Sequence, residues 1–135
     1  MDQGNATQTF LGNQWSRARV ELYDVQPLWG GRNIFVAHSV TVQRVLRGGR
    51  EERRYLFEIG AEQHIHIIDL IIGNDFLTIS PANRPGIPDE AHPTITLVNA
   101  AGEKVVVAKW AGVKDARFDS IYAAITHLES HISDL

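Results

Sequence analysis

The chain contains no cysteine. That excludes a disulfide framework, a thiolate nucleophile and cysteine-ligated zinc. No apolar run approaches the roughly eighteen residues of a membrane-spanning helix, so no membrane insertion is expected. The opening stretch MDQGNATQTFLGNQ has neither the positive region nor the apolar run of a signal peptide, and a cytoplasmic location is the expectation. There is no excess of basic charge. Thirteen Lys and Arg stand against sixteen Asp and Glu, giving a net charge of -3, so nucleic acid is not an expected partner. The phosphate-loop pattern GxxxxGK[ST] and the nucleophile elbow GxSxG are both missing. Gly30-Gly31 and Gly48-Gly49 do not lead into helices that would offer an anion-binding N-terminus. Ser120, Ser130 and Ser133 have no evident base and orienter in the sequence.

What remains is the pattern of one small globular domain of 135 residues, 44% hydrophobic and 21% charged. Residues 1–14 are small and polar and read as a loose tail ahead of a single domain, 15–135. From Arg17, Ala18, Val20 and Leu22 alternate with Arg19, Glu21 and Tyr23, the two-residue period of a strand. Trp29-Gly30-Gly31-Arg32 reads as a turn. Residues 40–59 read as a hairpin around Gly48-Gly49. AEQHIHIIDLIIG, 61–73, carries isoleucines that suit a strand. At helical spacing, however, Ile65, Ile68 and Ile72 share a face with Ile67 and Ile71 beside them, and a helix is the expectation. Phe76 to Ser80 reads as extended. Thr94–Asn99 and Lys104–Trp110 alternate around Ala101-Gly102 as a second hairpin. From Asp115, an N-cap residue type, Phe118, Ile121, Tyr122, Ile125, Leu128 and Ile132 form the stripe of a helix over 115–133. The resulting class is α+β: a meander-like antiparallel sheet of five or six strands with two helices on one face.

The residues that could carry chemistry are few. RPGIPDEAHP, 84–93, gathers three prolines with Arg84, Asp89, Glu90 and His92. As a connector it is stiffened by its prolines, with Asp89 or Glu90 accepting loop N–H groups or pairing with Arg84. As a site it offers carboxylates and an imidazole to a metal-dependent hydrolase, though with fewer oxygens than a hard metal usually takes. His64 and His66 diverge on a helix, leaving one partly buried and one at the surface. His127 and His131 have the i, i+4 spacing of a zinc pair, without the Glu of HExxH. Arg44, Arg47, Arg50, Arg53 and Arg54 suggest a basic edge that discourages sheet-to-sheet aggregation. The LRGG of 46–49 lies inside a hairpin and carries no meaning of its own. Trp29 and Trp110 each sit by a strand end, near Arg32 and Lys109, and suit either a capped core or an aromatic rim.

The strings GRNIFV, NDFLTI, RPGIPDE, PTITLVN, GEKVVVAKW and ARFDSIYAAI, spread over 29–128, make the chain similar to a bacterial family of small α+β domains of unknown function. The resemblance implies a compact antiparallel sheet with two helices and brings no catalytic residue, cofactor or metal with it. The expectation is a non-enzymatic binding or protein-interaction module, acting on a protein partner or on itself. Its candidate surface is Trp29, Arg32, Arg84, Asp89, Glu90, His92 and Trp110. The alternatives are a small-molecule carrier, with a pocket lined by the isoleucines of 65–72 and by Tyr122, and the metal-dependent hydrolase of the 84–93 loop.

Overall fold

A computed structural model describes residues 4–26, 28–37, 39–45, 51–58 and 61–128. The elements run α1 (Ala6–Leu11), a 3-10 turn (Gly12–Arg17), β1 (Arg19–Gln26), β2 (Gly30–Val36), β3 (Ser39–Val45), β4 (Glu51–Glu58), α2 (Ala61–Gly73), a 3-10 turn (Phe76–Thr78), β5 (Thr94–Val98), β6 (Lys104–Ala108) and α3 (Ala116–His127). The six strands form one sheet in the order β4-β3-β2-β1-β5-β6. Every neighbouring pair is antiparallel. The first four strands are the expected meander. β5 then joins the free side of β1, placing β1 inside the sheet.

Alternation sets which face is covered. Val20, Leu22, Ile34, Val36, Val40, Val42, Ile95 and Leu97 are buried together with Ile67, Ile68 and Ile71 of α2 and Phe118, Ile121 and Ile125 of α3. The residues between them, including Tyr23, Phe35 and Val106, lie on the open face and are exposed. A period-two strand with one covered face produces this division directly. The α+β class, the antiparallel sheet and the helix at 61–73 are therefore as expected.

The apolar face of α2 is turned from the one anticipated. The buried set is His64, Ile67, Ile68 and Ile71, an i, i+3, i+4, i+7 stripe, while Ile65 is exposed. His64 occupies a core position because its Nε2 lies 3.2 Å from the Ala18 carbonyl, a hydrogen bond that makes burial of the imidazole tolerable. His66 is exposed, as expected. At the head of α3 the Asp115 carboxylate accepts the Phe118 N–H at 3.0 Å, the N-cap read from sequence.

Three segments depart from expectation. The strand β2 begins at Gly30 rather than after a turn at 29–32, because Gly31 pairs with Val25. A Cβ on Gly31 would stand 2.0 Å from the Asp24 carbonyl, so glycine is what lets the two strands meet there. Phe76–Thr78 is a 3-10 turn with Phe76 fully buried, not an extended piece. The stretch read as a loose tail folds instead: α1 is capped by Asn5, and Thr7 and Leu11 are buried. Its anchor is Asp75, whose carboxylate accepts both the Thr7 N–H at 3.1 Å and the Thr7 hydroxyl at 2.7 Å. The Thr7 hydroxyl in turn accepts the Leu77 N–H. The Thr7 hydroxyl holds the Asp75 carboxyl below its ordinary value, with smaller help from Thr78 and Arg117. Small polar composition suggested disorder, but one buried threonine and one buried leucine are enough to dock a six-residue helix. The loop residues of the 40–59 hairpin, including Gly48-Gly49, lie outside the described residues, as do the end of the 115–133 helix beyond Leu128 and the side chains of Arg44, Arg47, Arg50, Arg53 and Arg54.

Replacing Asp75 with alanine strands two donors of a fully buried threonine. The expected loss is about 1–3 kcal/mol by urea unfolding, with faster amide exchange across residues 6–11. A loss under about 0.5 kcal/mol with unchanged exchange would mean that Leu11 alone docks the helix.

Candidate functional site

All seven residues of the expected surface come from one end of the sheet. In the ladder, Tyr23 of β1 stands opposite Thr94 of β5, and Thr94 opposite Ala108 of β6. The exits of β1 and β6 and the entries of β2 and β5 therefore share that end. The β1–β2 turn, the 84–93 loop, Trp110 and the start of α3 follow from them.

The loop is organised by Glu90. Its two oxygens meet the Arg84 guanidinium in a bidentate pair, with Nη1 at 2.8 Å from Oε1 and Nη2 on Oε2. Oε1 also accepts the Ile87 N–H at 3.2 Å, and Oε2 accepts the Gly112 N–H at 2.7 Å. The Glu90 side chain is only 5% exposed. One carboxylate thus closes its own loop and ties it to the segment after β6, a charge-assisted arrangement in fixed geometry. Arg84, followed by the Ile87 and Gly112 amides, lowers the Glu90 carboxyl from an ordinary 4.5 to about 2, against the opposing effect of burial. The same contact raises Arg84 above its ordinary value. Two backbone bonds complete the tie: Ala111 N–H to the Ala91 carbonyl at 2.9 Å and Lys109 N–H to the Pro93 carbonyl at 3.1 Å.

Asp89, weighed equally with Glu90 in the sequence, does not share this work. It is exposed and sits at φ 67°, a left-handed position that Asp tolerates better than most side chains. His92 stacks on Trp110, ring centroids 4.2 Å apart and planes at 22°. The indole also lies against Gly86, where a Cβ would be 2.6 Å from the ring. Only a glycine permits that approach, so the loop backbone and the tryptophan form one packed layer. Trp29 stands 58% exposed in the β1–β2 turn, whose Leu28 and Trp29 N–H groups are both held by the Gln26 side chain. Arg32 is in β2, its Nη2 3.4 Å from the Tyr122 hydroxyl and 4.0 Å from the Asp24 carboxylate.

Beside the loop lies a cleft of about 410 Å³ lined by Asp24, Pro93, Lys109, Lys114, Asp119 and Tyr122, among others. Most of these residues escaped the sequence reading as site residues. The Tyr122 hydroxyl donates to Asp24. The Lys109 ammonium is buried, donates to the Val113 carbonyl, pairs with Asp119 at 3.0 Å and lies 5.5 Å from the Phe118 ring centre. A signal was present. Asp24 has the same strand parity as the buried Val20 and Leu22, and Tyr122 lies in the apolar stripe of α3. A carboxylate and a phenol on core-facing positions need a partner, and they find each other.

Chemically, the end of the sheet is a polar surface in which Glu90, Lys109, Asp119 and Tyr122 are held by ion pairs and hydrogen bonds. Asp89, Glu90 and His92 do not converge: Glu90 is occupied by Arg84 and two amides, Asp89 is in solvent and His92 is stacked. Among the described residues no group of three His, Asp or Glu side chains is placed to hold a metal ion. His66 and His127 line a groove of about 630 Å³ between α2 and α3, while His131 lies outside the described residues. Of the isoleucines expected to line a carrier pocket, Ile67, Ile68 and Ile71 belong to the core; Ile68 and Ile72 also border a cavity of about 640 Å³ beside Leu11 and Trp15, and Ile67 borders the groove between α2 and α3, while Tyr122 lines neither. No described helix is long and apolar enough to cross a membrane. Comparison with family models, with curated proteins and with solved structures finds no match to this chain.

Glu90 and Asp89 separate cleanly by substitution. Glu90→Gln breaks the bidentate pair and lowers the thermal midpoint, whereas Asp89→Asn keeps the left-handed backbone and changes stability by less than about 0.5 kcal/mol. The Glu90 effect depends on pH. Its folded-state carboxyl is depressed, so its contribution is full above the unfolded value and lost as pH falls from about 4.5 to about 2. The gap in urea midpoints between wild type and Glu90→Gln should therefore shrink across that window. A gap independent of pH would show that the carboxylate charge is irrelevant to the loop.

Proposed function

We propose that the protein is a non-enzymatic binding module that engages a protein partner through the loop end of its sheet. One observation carries this reading: Ile87, at the tip of the pinned loop, is 64% exposed, more than any other large apolar side chain described. A loop held by an ion pair, two side-chain-to-backbone bonds and three prolines displays that side chain in a fixed position. Ordering costs at binding are small when the segment is already ordered, so such a loop serves recognition. Leu28 and Trp29, 52% and 58% exposed, come from the neighbouring turn at the same end. Apolar anchors beside a polar, hydrogen-bonded cleft are the usual composition of a protein-recognition surface, a few large side chains carrying the affinity within a satisfied polar surround. The pairing of Asp24 with Tyr122 and of Lys109 with Asp119 supports a surface built to be stable rather than reactive.

The test is affinity enrichment from the source cells with three baits: wild type, Ile87→Asp, and Phe35→Ser on the open sheet face as a control. A genuine partner is retained by wild type and Phe35→Ser and lost by Ile87→Asp. With that partner purified, the Ile87 change should weaken binding by at least about tenfold, the scale of an anchor residue. If no protein distinguishes the Ile87 bait from the other two, the loop end is not the binding surface.

A further inference from the structure

We propose that β6 is the contact between two copies of this chain, which pair edge to edge into a continuous antiparallel sheet. The inference is independent of the loop end and rests on the two edges of the sheet. The outer strands are β4 and β6. β4 reads EERRYLFE, with Glu51, Glu52, Arg53, Arg54 and Glu58 charged. Charge on an edge strand is a standard guard against pairing with another chain. β6 reads KVVVA: three consecutive valines, no proline, and an unbroken register with β5. β4 carries five charged residues in eight positions, and β6 one, Lys104, in five.

The hydrogen-bond phase of β6 suits a two-fold pairing. Lys109 donates its N–H to Pro93 on the β5 side, and Asn99 donates to the carbonyl of Glu103. Antiparallel ladders alternate, so Glu103, Val105, Val107 and Lys109 turn their backbone groups toward β5. Lys104, Val106 and Ala108 turn theirs outward. A second copy placed about an axis through Val106, perpendicular to the sheet, meets this row with its own. Val106 exchanges both backbone bonds with the second copy's Val106, and Lys104 does so with the second copy's Ala108.

The side chains agree with the same register. Val106, 58% exposed on the open face, meets its counterpart. Val105, half-buried at the rim of the core, meets the second copy's Val107 on the helix side. Lys104 faces a small residue rather than another lysine. The Val105-Val106-Val107 run is symmetric about Val106, so a two-fold contact there sets valine against valine at three successive positions. Both helix layers stay on one side of the joined sheet. The contact is narrow beside the roughly 1,200–2,000 Å² of a stable complex, so the dimer is expected to be reversible and concentration-dependent.

Sedimentation velocity from about 10 µM to about 1 mM tests this, a range matched to a small, weak interface. The wild type should shift from monomer to dimer, and the amides of Lys104, Val106 and Ala108 should gain exchange protection at the high end. Val106→Pro removes an outward N–H without touching the β5 ladder, and Val106→Lys sets two ammonium groups face to face. Both should remain monomeric, with far-UV circular dichroism and dilute-solution melting close to wild type. Ile87→Asp should dimerise like wild type, which keeps this contact distinct from the loop end. A wild type that stays monomeric to 1 mM, or a dimer that both Val106 variants preserve, overturns the proposal.

Discussion

The structure depends on one topological constraint: β5 pairs with β1 and not with β4. At the end of β4 the chain is at one edge of the sheet, and its next strand lies four places away, with β3, β2 and β1 between. Crossing that distance takes it over the sheet, about 19 Å at the spacing of neighbouring strands. The crossing cannot be bare loop, because a buried loop leaves backbone donors and acceptors unpaired. A helix satisfies its own, and α2 is that helix. Its buried stripe covers the strands it crosses. What remains between α2 and β5 is the 3-10 turn and the proline-rich segment. The segment must deliver Thr94 opposite Tyr23 in register, since a slip of one residue would turn Ile95 and Leu97 out of the core. The tie between the 84–93 loop and the residues after β6 follows from this requirement.

Glu90 supplies that tie, and the reason lies in its reach. Aspartate and glutamate differ by one methylene, and composition alone cannot rank Asp89 against Glu90. Their backbones can. Asp89 takes a left-handed φ at the bend, so its short side chain is thrown outward. The next residue, with the longer arm, meets both Arg84 and the Gly112 amide. Gly112 has to be small there: a Cβ would stand 2.8 Å from the Arg84 guanidinium and 3.0 Å from the Glu90 carboxylate. Arg84, Glu90 and Gly112 therefore form one device spread over twenty-nine positions of sequence, and only the two within the loop are near enough to be read together.

The same distinction separates what was legible from what was not. Strand alternation in β1, β5 and β6, the cap at Asp115 and the helical spacing of 61–73 are local patterns, and each led to the observed element. The docking of α1 was hidden because its anchor, Asp75, is sixty-eight positions from Thr7. The rotation of α2 was hidden because a histidine took a core position through a bond to Ala18, forty-six positions away. The cleft of Asp24, Lys109, Asp119 and Tyr122 is likewise assembled from β1, the end of β6 and α3. Polar groups on core-facing positions were the visible trace of all three. Each marks a long-range contact that the burial of a polar group demands.

The two surfaces with a claim to function differ in how the fold leaves them exposed. The loop end is exposed and organised: Glu90 is paired with Arg84, the glycine and tryptophan interlock, and the apolar tip Ile87 stands exposed on a loop tied to the residues after β6. The β6 edge is an outer strand, with the backbone groups of Lys104, Val106 and Ala108 turned away from β5 and three valines along the strand. An organised surface loses little entropy on meeting a partner of different shape, which suits recognition of another protein. An outer edge can be extended only by another strand, and the strand that repeats its spacing and its phase is its own copy. On the two proposals, recognition of a partner falls at the end of the strands and self-pairing along their edge.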